Sequence, residues 1–240
     1  MRPDGREWDQ LREIKVQPSV LKEADGSAFV KWGKNLVIAG VFGPRECIPK
    51  HDTNPYKAII KVRYSMAPFS TEDDRVRPGP SRRSIEISKV LRHVFENVVI
   101  AEKYPGTEID VFVEVLRSDA GTRIASLLAG MAALVDAGIA LNDMAVGVAV
   151  GKYQGKIIVD LNKIEDNEGE VDMPLAINMG TGEILLLQMD GVLTPQEFEQ
   201  ALDLAVKKAR EVGEIMRRDI KERYKKPPEQ TVLDEVFNDG

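Results

Sequence analysis

The sequence predicts an α+β protein in which mixed β-sheets pack against long helices. Three observations carry that expectation. Short segments of alternating or continuous apolar residues are bounded by Gly, Pro and Asn turn chemistry, as strands are. Longer segments either repeat apolar residues at three and four or are apolar throughout, as amphipathic and buried helices are. Each half of the chain also passes from several strands to a long helix, which suggests two duplicated halves, about 1–103 and 104–226, ahead of a loose acidic tail at 227–240. A 43% hydrophobic content over 240 residues is enough for the large core that such packing needs.

Residues 1–13 are polar and without period, and read as an extended arm that needs a neighbour to order it. Strands at 15–20, 28–32 and 35–42, separated by Asp25-Gly26 and Gly33-Lys34-Asn35, predict an antiparallel meander that Gly43-Pro44 closes. A loop at 45–56 precedes a strand at 58–65, and a charged loop at 67–80 follows. Prolines 78 and 80 bar a helix before Ser81, a good N-cap, and Ile87, Val90, Leu91, Val94, Phe95 and Val98 then mark an amphipathic helix to about 101. A strand at 109–116 puts Ile109, Val111, Val113 and Val115 on one face. The apolar run 124–137, ending at Gly138, predicts a buried helix with a glycine C-cap. Strands at 145–150 and 156–161 form a hairpin, and strands at 171–178 and 183–188 turn about Gly180-Thr181-Gly182. The last helix opens at Thr194-Pro195-Gln196-Glu197, a capping box with proline in its first turn, and runs to about 224.

Composition removes several chemistries. Cys47 is the single cysteine and His51 and His93 the only histidines, so disulfide frameworks, Cys/His zinc sites and Cys-His dyads are excluded. Acid–base work falls to carboxylates, and the handling of anions to Arg, Lys and backbone N–H groups. Neither a membrane span nor a signal peptide is legible, and a cytoplasmic location is expected. The net charge of −6 argues against a surface coated in cations, yet 57–92 holds nine Lys and Arg against four acids, so the charge is segregated. No Walker loop, dinucleotide fingerprint, HExxH or EF-hand pattern occurs.

Three places carry candidate chemistry. Asp160, Glu165, Asp166, Glu168, Glu170 and Asp172 crowd one stretch, with Lys163 the only cation among them. Like charges so close raise one another's pKa, which makes either a divalent-cation site or a carboxyl that keeps a proton near neutral pH; a solvated hairpin loop at 165–170 is the plain alternative. Arg82 and Arg83 occupy the first turn of a helix, where the dipole disfavours cations, so an anionic ligand would explain them, as would pairing with Glu72, Asp73 or Asp74. Gly121-Thr122-Arg123 opens the buried helix and offers N–H groups, a hydroxyl and a guanidinium to an anion, unless Thr122 serves only as an N-cap.

Together with Met1-Arg2-Pro3-Asp4-Gly5-Arg6, Tyr64-Ser65-Met66-Ala67-Pro68-Phe69, Gly79-Pro80-Ser81-Arg82-Arg83-Ser84-Ile85-Glu86 and Asp160-Leu161-Asn162-Lys163-Ile164-Glu165-Asp166, these features resemble the RNase PH family of phosphorolytic exoribonucleases over residues 1 to about 225. Within the family they look most like the catalytic ring subunit of the archaeal exosome. The resemblance implies an RNase PH-like fold and phosphate-dependent 3′-to-5′ removal of nucleotides from RNA as diphosphates. It implies that Arg82 and Arg83 hold RNA phosphates, that Gly121, Thr122 and Arg123 bind inorganic phosphate as co-substrate, and that Asp166 and Asp172 are the catalytic pair. Of that pair the first is associated with a divalent cation such as magnesium, and the second is the candidate general acid. Asp160 is a further candidate metal ligand, and Arg63 a guide for RNA. The implied partners are RNA, a non-catalytic paralogue in an alternating heterohexamer, and cap proteins with S1 or KH domains. RNase PH itself, a homohexamer acting on transfer RNA, a ring subunit that only grips RNA, and a metal-dependent hydrolase are the competing expectations.

Overall fold

The computed structural model describes residues 2–71, 77 and 79–225. The acids at 72–74 and the expected tail at 227–240 lie outside the described residues.

Two sheets form. The first has the order β1 (Ile14–Pro18), β2 (Gly26–Trp32), β3 (Asn35–Glu46), β5 (Thr107–Arg117), β4 (Ile59–Met66). The second runs β10 (Asp190–Gly191), β8 (Val171–Asn178), β6 (Ala145–Tyr153), β7 (Lys156–Val159), with β9 (Ile184–Leu187) also on β8. The expected meander is present, but β3 does not stop at Gly43-Pro44. It continues past a bulge between Phe42 and Arg45 to pair Glu46 with Thr107, and a bulge is where a strand tolerates the missing N–H of Pro44. The expected division near 103 is also corrected, because β5 lies between β3 and β4 inside the first sheet.

Strand β4 pairs β5 in parallel, joined through α1 (Arg82–Val98) as a β-α-β crossover. Helix α1 buries Ile87, Leu91, Val94, Phe95 and Val98, the face that the sequence periodicity marks. Ile87 is fully buried, so Ile87→Val should cost about 1 kcal/mol in urea unfolding. Helix α2 (Thr122–Asp136) follows β5 and packs against both sheets, which is why twelve of its fifteen residues are buried. Its Gly130 lets α1 approach closely: an added Cβ would lie 2.6 Å from the Phe95 ring. Helix α4 (Pro195–Lys225) lies across β6 and β1. One continuous core joins residues of both sheets. Among the described residues no helix is long and apolar enough to cross a membrane.

The topology fixes where a site can form. Because β4 and β5 are parallel neighbours, their C-terminal ends share one edge, and α1 and α2 both start there, α2 without a side-chain cap on its N–H groups.

The acid-rich stretch departs from the loop reading. It contains a short helix, α3 (Lys163–Glu168), opened by a capping box: Asn162 Oδ1 accepts from Ile164 and Glu165 N–H, and Glu165 returns a carboxylate to the Asn162 N–H. The N-terminal arm is likewise held by contacts within this chain. Arg2 is 2% exposed; its Nε and Nη2 donate to the two Glu165 oxygens at 2.7 Å each, and further bonds reach the Val159 and Asp160 carbonyls.

Candidate active site

A cavity of about 610 Å³ opens at the shared edge, lined by Arg83, Thr122 and Arg123 on one side and by Asp166, Asp172 and Asp190 on the other. Each residue is placed by a local sequence feature. Ser81 caps α1 through the Ser84 N–H at 3.0 Å, which starts the helix so that Arg83 falls in its first turn. No acid occupies that turn. Gly121 is the N-cap of α2 at φ 67°, a left-handed conformation suited to glycine, and no side chain caps the helix. Thr122 is therefore not a capping residue. Its buried Oγ1 instead lies 3.2 Å from the Tyr64 hydroxyl and accepts from Arg83 Nη2 at 3.1 Å. Arg123 is held from the side by Glu86, whose Oε2 accepts from its Nη2 at 3.0 Å, and its buried Nε has no hydrogen-bond partner among the described residues.

The opposite wall is carboxylate. Asp172 faces Asp190 directly across the β8–β10 ladder, a like-charge pairing that a sheet does not favour for its own stability. Burial, then the charges of Asp166 and Asp190, push the Asp172 carboxyl up to about 6, against the pull of Arg123 and Arg83. Asp166 stands at the rim; burial of its carboxyl raises its pKa too, with Arg83, Arg12 and Arg123 opposing. Glu86 titrates low: burial works to raise it, but Gln188 and Arg123 outweigh burial. The cavity thus sets two guanidiniums and a helix N-terminus against acids that resist full ionisation.

The structure unites Gly121, Thr122, Arg123, Arg83, Asp166 and Asp172, and it separates three other candidates. Asp160 is corrected from metal ligand to ion-pair partner. Its carboxylate is 4% exposed and accepts from Arg12 Nη2 and the Arg12 N–H, both at 2.7 Å, and from Arg6 Nη1 at 3.4 Å. Burial works to raise its pKa, but Arg12 outweighs burial and holds the carboxyl below the usual range. A carboxylate so fully engaged has no lone pair to offer a cation. Arg82 is exposed and does not line this cavity. Arg63 lines a separate basic groove with Lys61, Lys89 and Arg92, and a third groove, which shares Arg83, Thr122 and Asp166 with the cavity and Tyr64 and Ser84 with the basic groove, connects the two.

Four contributors were given no role from the sequence: Tyr64, Glu86, Gln188 and Asp190. Glu86 lies one helical turn after Arg83, a spacing that could have found it. Asp190 sits in a two-residue strand, too short to show a period. Among the described residues no group of three or more Asp, Glu, His or Cys has the arrangement of a metal site. The carboxylate oxygens of Asp166 and Asp172 are hard donors of the kind that magnesium takes together with substrate oxygens and water.

Comparison with known proteins gives concordant matches. Residues 10–140 match the model of the 3′ exoribonuclease family, domain 1, and residues 143–208 that of domain 2. The exosome complex component Rrp41 of Thermococcus onnurineus is 53% identical over 95% of this chain and 92% of its own length. Its counterpart from Thermoplasma volcanium is 49% identical over 94% of this chain and 90% of its own. Among solved structures, rice Rrp46 superposes with a TM-score of 0.83 at 25% identity, over 92% of this chain and all of that one. The Archaeoglobus fulgidus exosome with RNA bound to the active site gives 0.77 at 27% identity, over 89% and 91%.

Proposed function

The chain belongs to the RNase PH family of 3′ exoribonucleases, and on that footing we propose that it is the catalytic subunit of an exosome-type ring, removing nucleotides from RNA 3′ ends with inorganic phosphate and releasing nucleoside diphosphates. The observation that carries this reading is the single cavity in which the Arg83–Thr122–Arg123 anion anchors face an aspartate whose carboxyl titrates near 6.

The chemistry follows from that arrangement. Inorganic phosphate rests on the α2 N-terminus, the Thr122 hydroxyl and the free Nε of Arg123, while Arg83 neutralises the phosphodiester beside it. A phosphate oxygen attacks the phosphorus of the last phosphodiester in line; the new P–O bond forms as the bond to the 3′ oxygen of the preceding nucleotide breaks. Asp172 gives its proton to that leaving oxygen, and the products are a nucleoside 5′-diphosphate and an RNA one nucleotide shorter. Positioning and charge neutralisation suffice for such a transfer, so the lack of a histidine or thiol nucleophile costs nothing. Asp166, together with substrate oxygens and water, would hold a magnesium ion, which when bound supplies further neutralisation of charge on the transferred phosphoryl group, and Asp172 keeps its proton for the leaving oxygen. The basic groove of Arg63, Lys61, Lys89 and Arg92 meets sugar–phosphate backbone without reading bases.

The same reading gives the chain RNase-PH-type neighbours: a non-catalytic paralogue alternating with it in a hexamer, and S1- or KH-domain caps. The exposed apolar side chains of Ile184, Leu187, Met189 and Val192 support a covered face. An RNA with a free 3′ end, incubated with magnesium with and without phosphate, by the chain alone and with its paralogue, should yield diphosphates only when phosphate is present. Monophosphates formed regardless of phosphate would mean hydrolysis instead.

A further inference from the structure

The anion anchors and the acid wall belong to different sheets, and one guanidinium connects them. Arg12 Nη1 donates to the backbone carbonyl of Asp119 at 2.6 Å and reaches the Asp119 carboxylate at 3.3 Å, in the turn that leads into α2. Its Nη2 and Nε donate to Asp160 at 2.7 Å and 3.1 Å, in the turn that leads into α3. Both turns are conformationally costly. Ala120 sits at φ 55° and Asp160 at φ 55°, left-handed values that non-glycine residues keep only when their surroundings hold them there. Two of the four such residues in the described chain therefore flank a single buried side chain.

The other contacts of the anion-binding turn fit the same role. Asn35, fully buried on β3, accepts from the Asp119 N–H at 2.6 Å and donates to the Ala120 carbonyl at 2.6 Å, clamping both sides of the strained peptide. The Asp119 carboxylate also accepts from the N–H of Lys163, the first residue of α3, at 3.3 Å. The guanidinium lies directly behind the turn, for a Cβ added to Gly121 would sit 3.4 Å from Arg12 Nη2. A strut of this kind sets the separation between bound anion and Asp166, the quantity to which a transfer by positioning is most sensitive.

We propose that Arg12 is a positioning residue for the reaction: it touches no substrate, and it fixes the anion-binding turn 119–121 against the acid-bearing wall. The inference rests on the phosphorolysis reading and adds a residue to it.

The test is Arg12→Lys in the full chain, assembled as activity requires and assayed well below its melting temperature. Lysine keeps the charge and loses the fork that spans the two turns. The expected result is a KM for inorganic phosphate raised about tenfold and a kcat lowered about tenfold, with the KM for RNA within about twofold of wild type, because the hydrogen bonds of Arg12 go to Asp119 and Asp160 and none to Arg83 or the basic groove. Asp119→Asn, which keeps the chain's shape, should give the same pattern more weakly, and it decides the matter alone if the lysine variant does not fold. Variants that melt earlier yet keep wild-type phosphate KM and kcat would overturn the inference and leave Arg12 a stability residue. A wild-type enzyme that degrades RNA without phosphate would overturn the phosphorolysis reading and this inference with it.

Discussion

Asp172→Asn should slow phosphate-dependent release of nucleotides by roughly 10²–10⁴-fold, the range for loss of a general acid, while leaving the chain more stable than wild type at neutral pH. The two effects have one cause. In the unfolded chain the Asp172 carboxyl ionises near its ordinary 3.8, and in the fold near 6. Below 3.8 it is neutral in both states and costs nothing. Between the two values the unfolded chain ionises while the folded one keeps the proton, so a penalty grows with pH, and above 6 it levels at up to about 3 kcal/mol, less where water reaches the carboxyl. Asparagine removes the penalty, so its advantage in urea unfolding with a chelator present should be full at pH 7–8 and vanish towards pH 4. Loss of both activity and stability would show instead that Asp172 is held by contacts that the structure does not contain.

Arg2→Met should destabilise the protein by about 3 kcal/mol, the low end of the cost of breaking a buried ion pair, because Arg6 Nη2, 3.5 Å from Glu165, still compensates part of its charge. Both side chains of the Arg2–Glu165 pair are fully buried, and the guanidinium also serves the backbone carbonyls of Glu7, Gln10, Val159 and Asp160. Adding Glu165→Gln should recover part of the loss, because the uncompensated charge goes while the amide can still meet the Asn162 N–H. A shift under about 1 kcal/mol in the single variant, read from the urea midpoint, would show that the arm docks weakly. Since Glu165 precedes Asp166, slower turnover should accompany the loss of stability.

What could be read from the residues depended on range. Helix starts announce themselves locally, and Ser81 and Thr194 were legible because a cap needs only its next three residues. Strands β1 to β3 were legible by alternation and turn chemistry. Helix α3 was not, because six residues make fewer than two turns and show no period. The acids around it look alike in sequence, and only their partners tell them apart. Asp160 and Glu165 answer to Arg12 and Arg2, about 150 residues away, while Asp166 and Asp172 are left to the cavity. Without those partners the arm read as loose and Asp160 read as a ligand. The resemblance to a family selected Asp166 and Asp172, whereas Gln188 and Asp190 needed the fold.

Helix α2 has a mechanical consequence. Its interior packs on both sheets, so its amides can exchange with solvent only in openings that dismantle much of the core. The anion anchors at its first turn are therefore attached to the least yielding part of the molecule. A polymer that must advance one nucleotide per cycle needs some wall of its channel to breathe, and that compliance falls to the Asp190 side, where an exposed strand of two residues is the lightest piece of the structure.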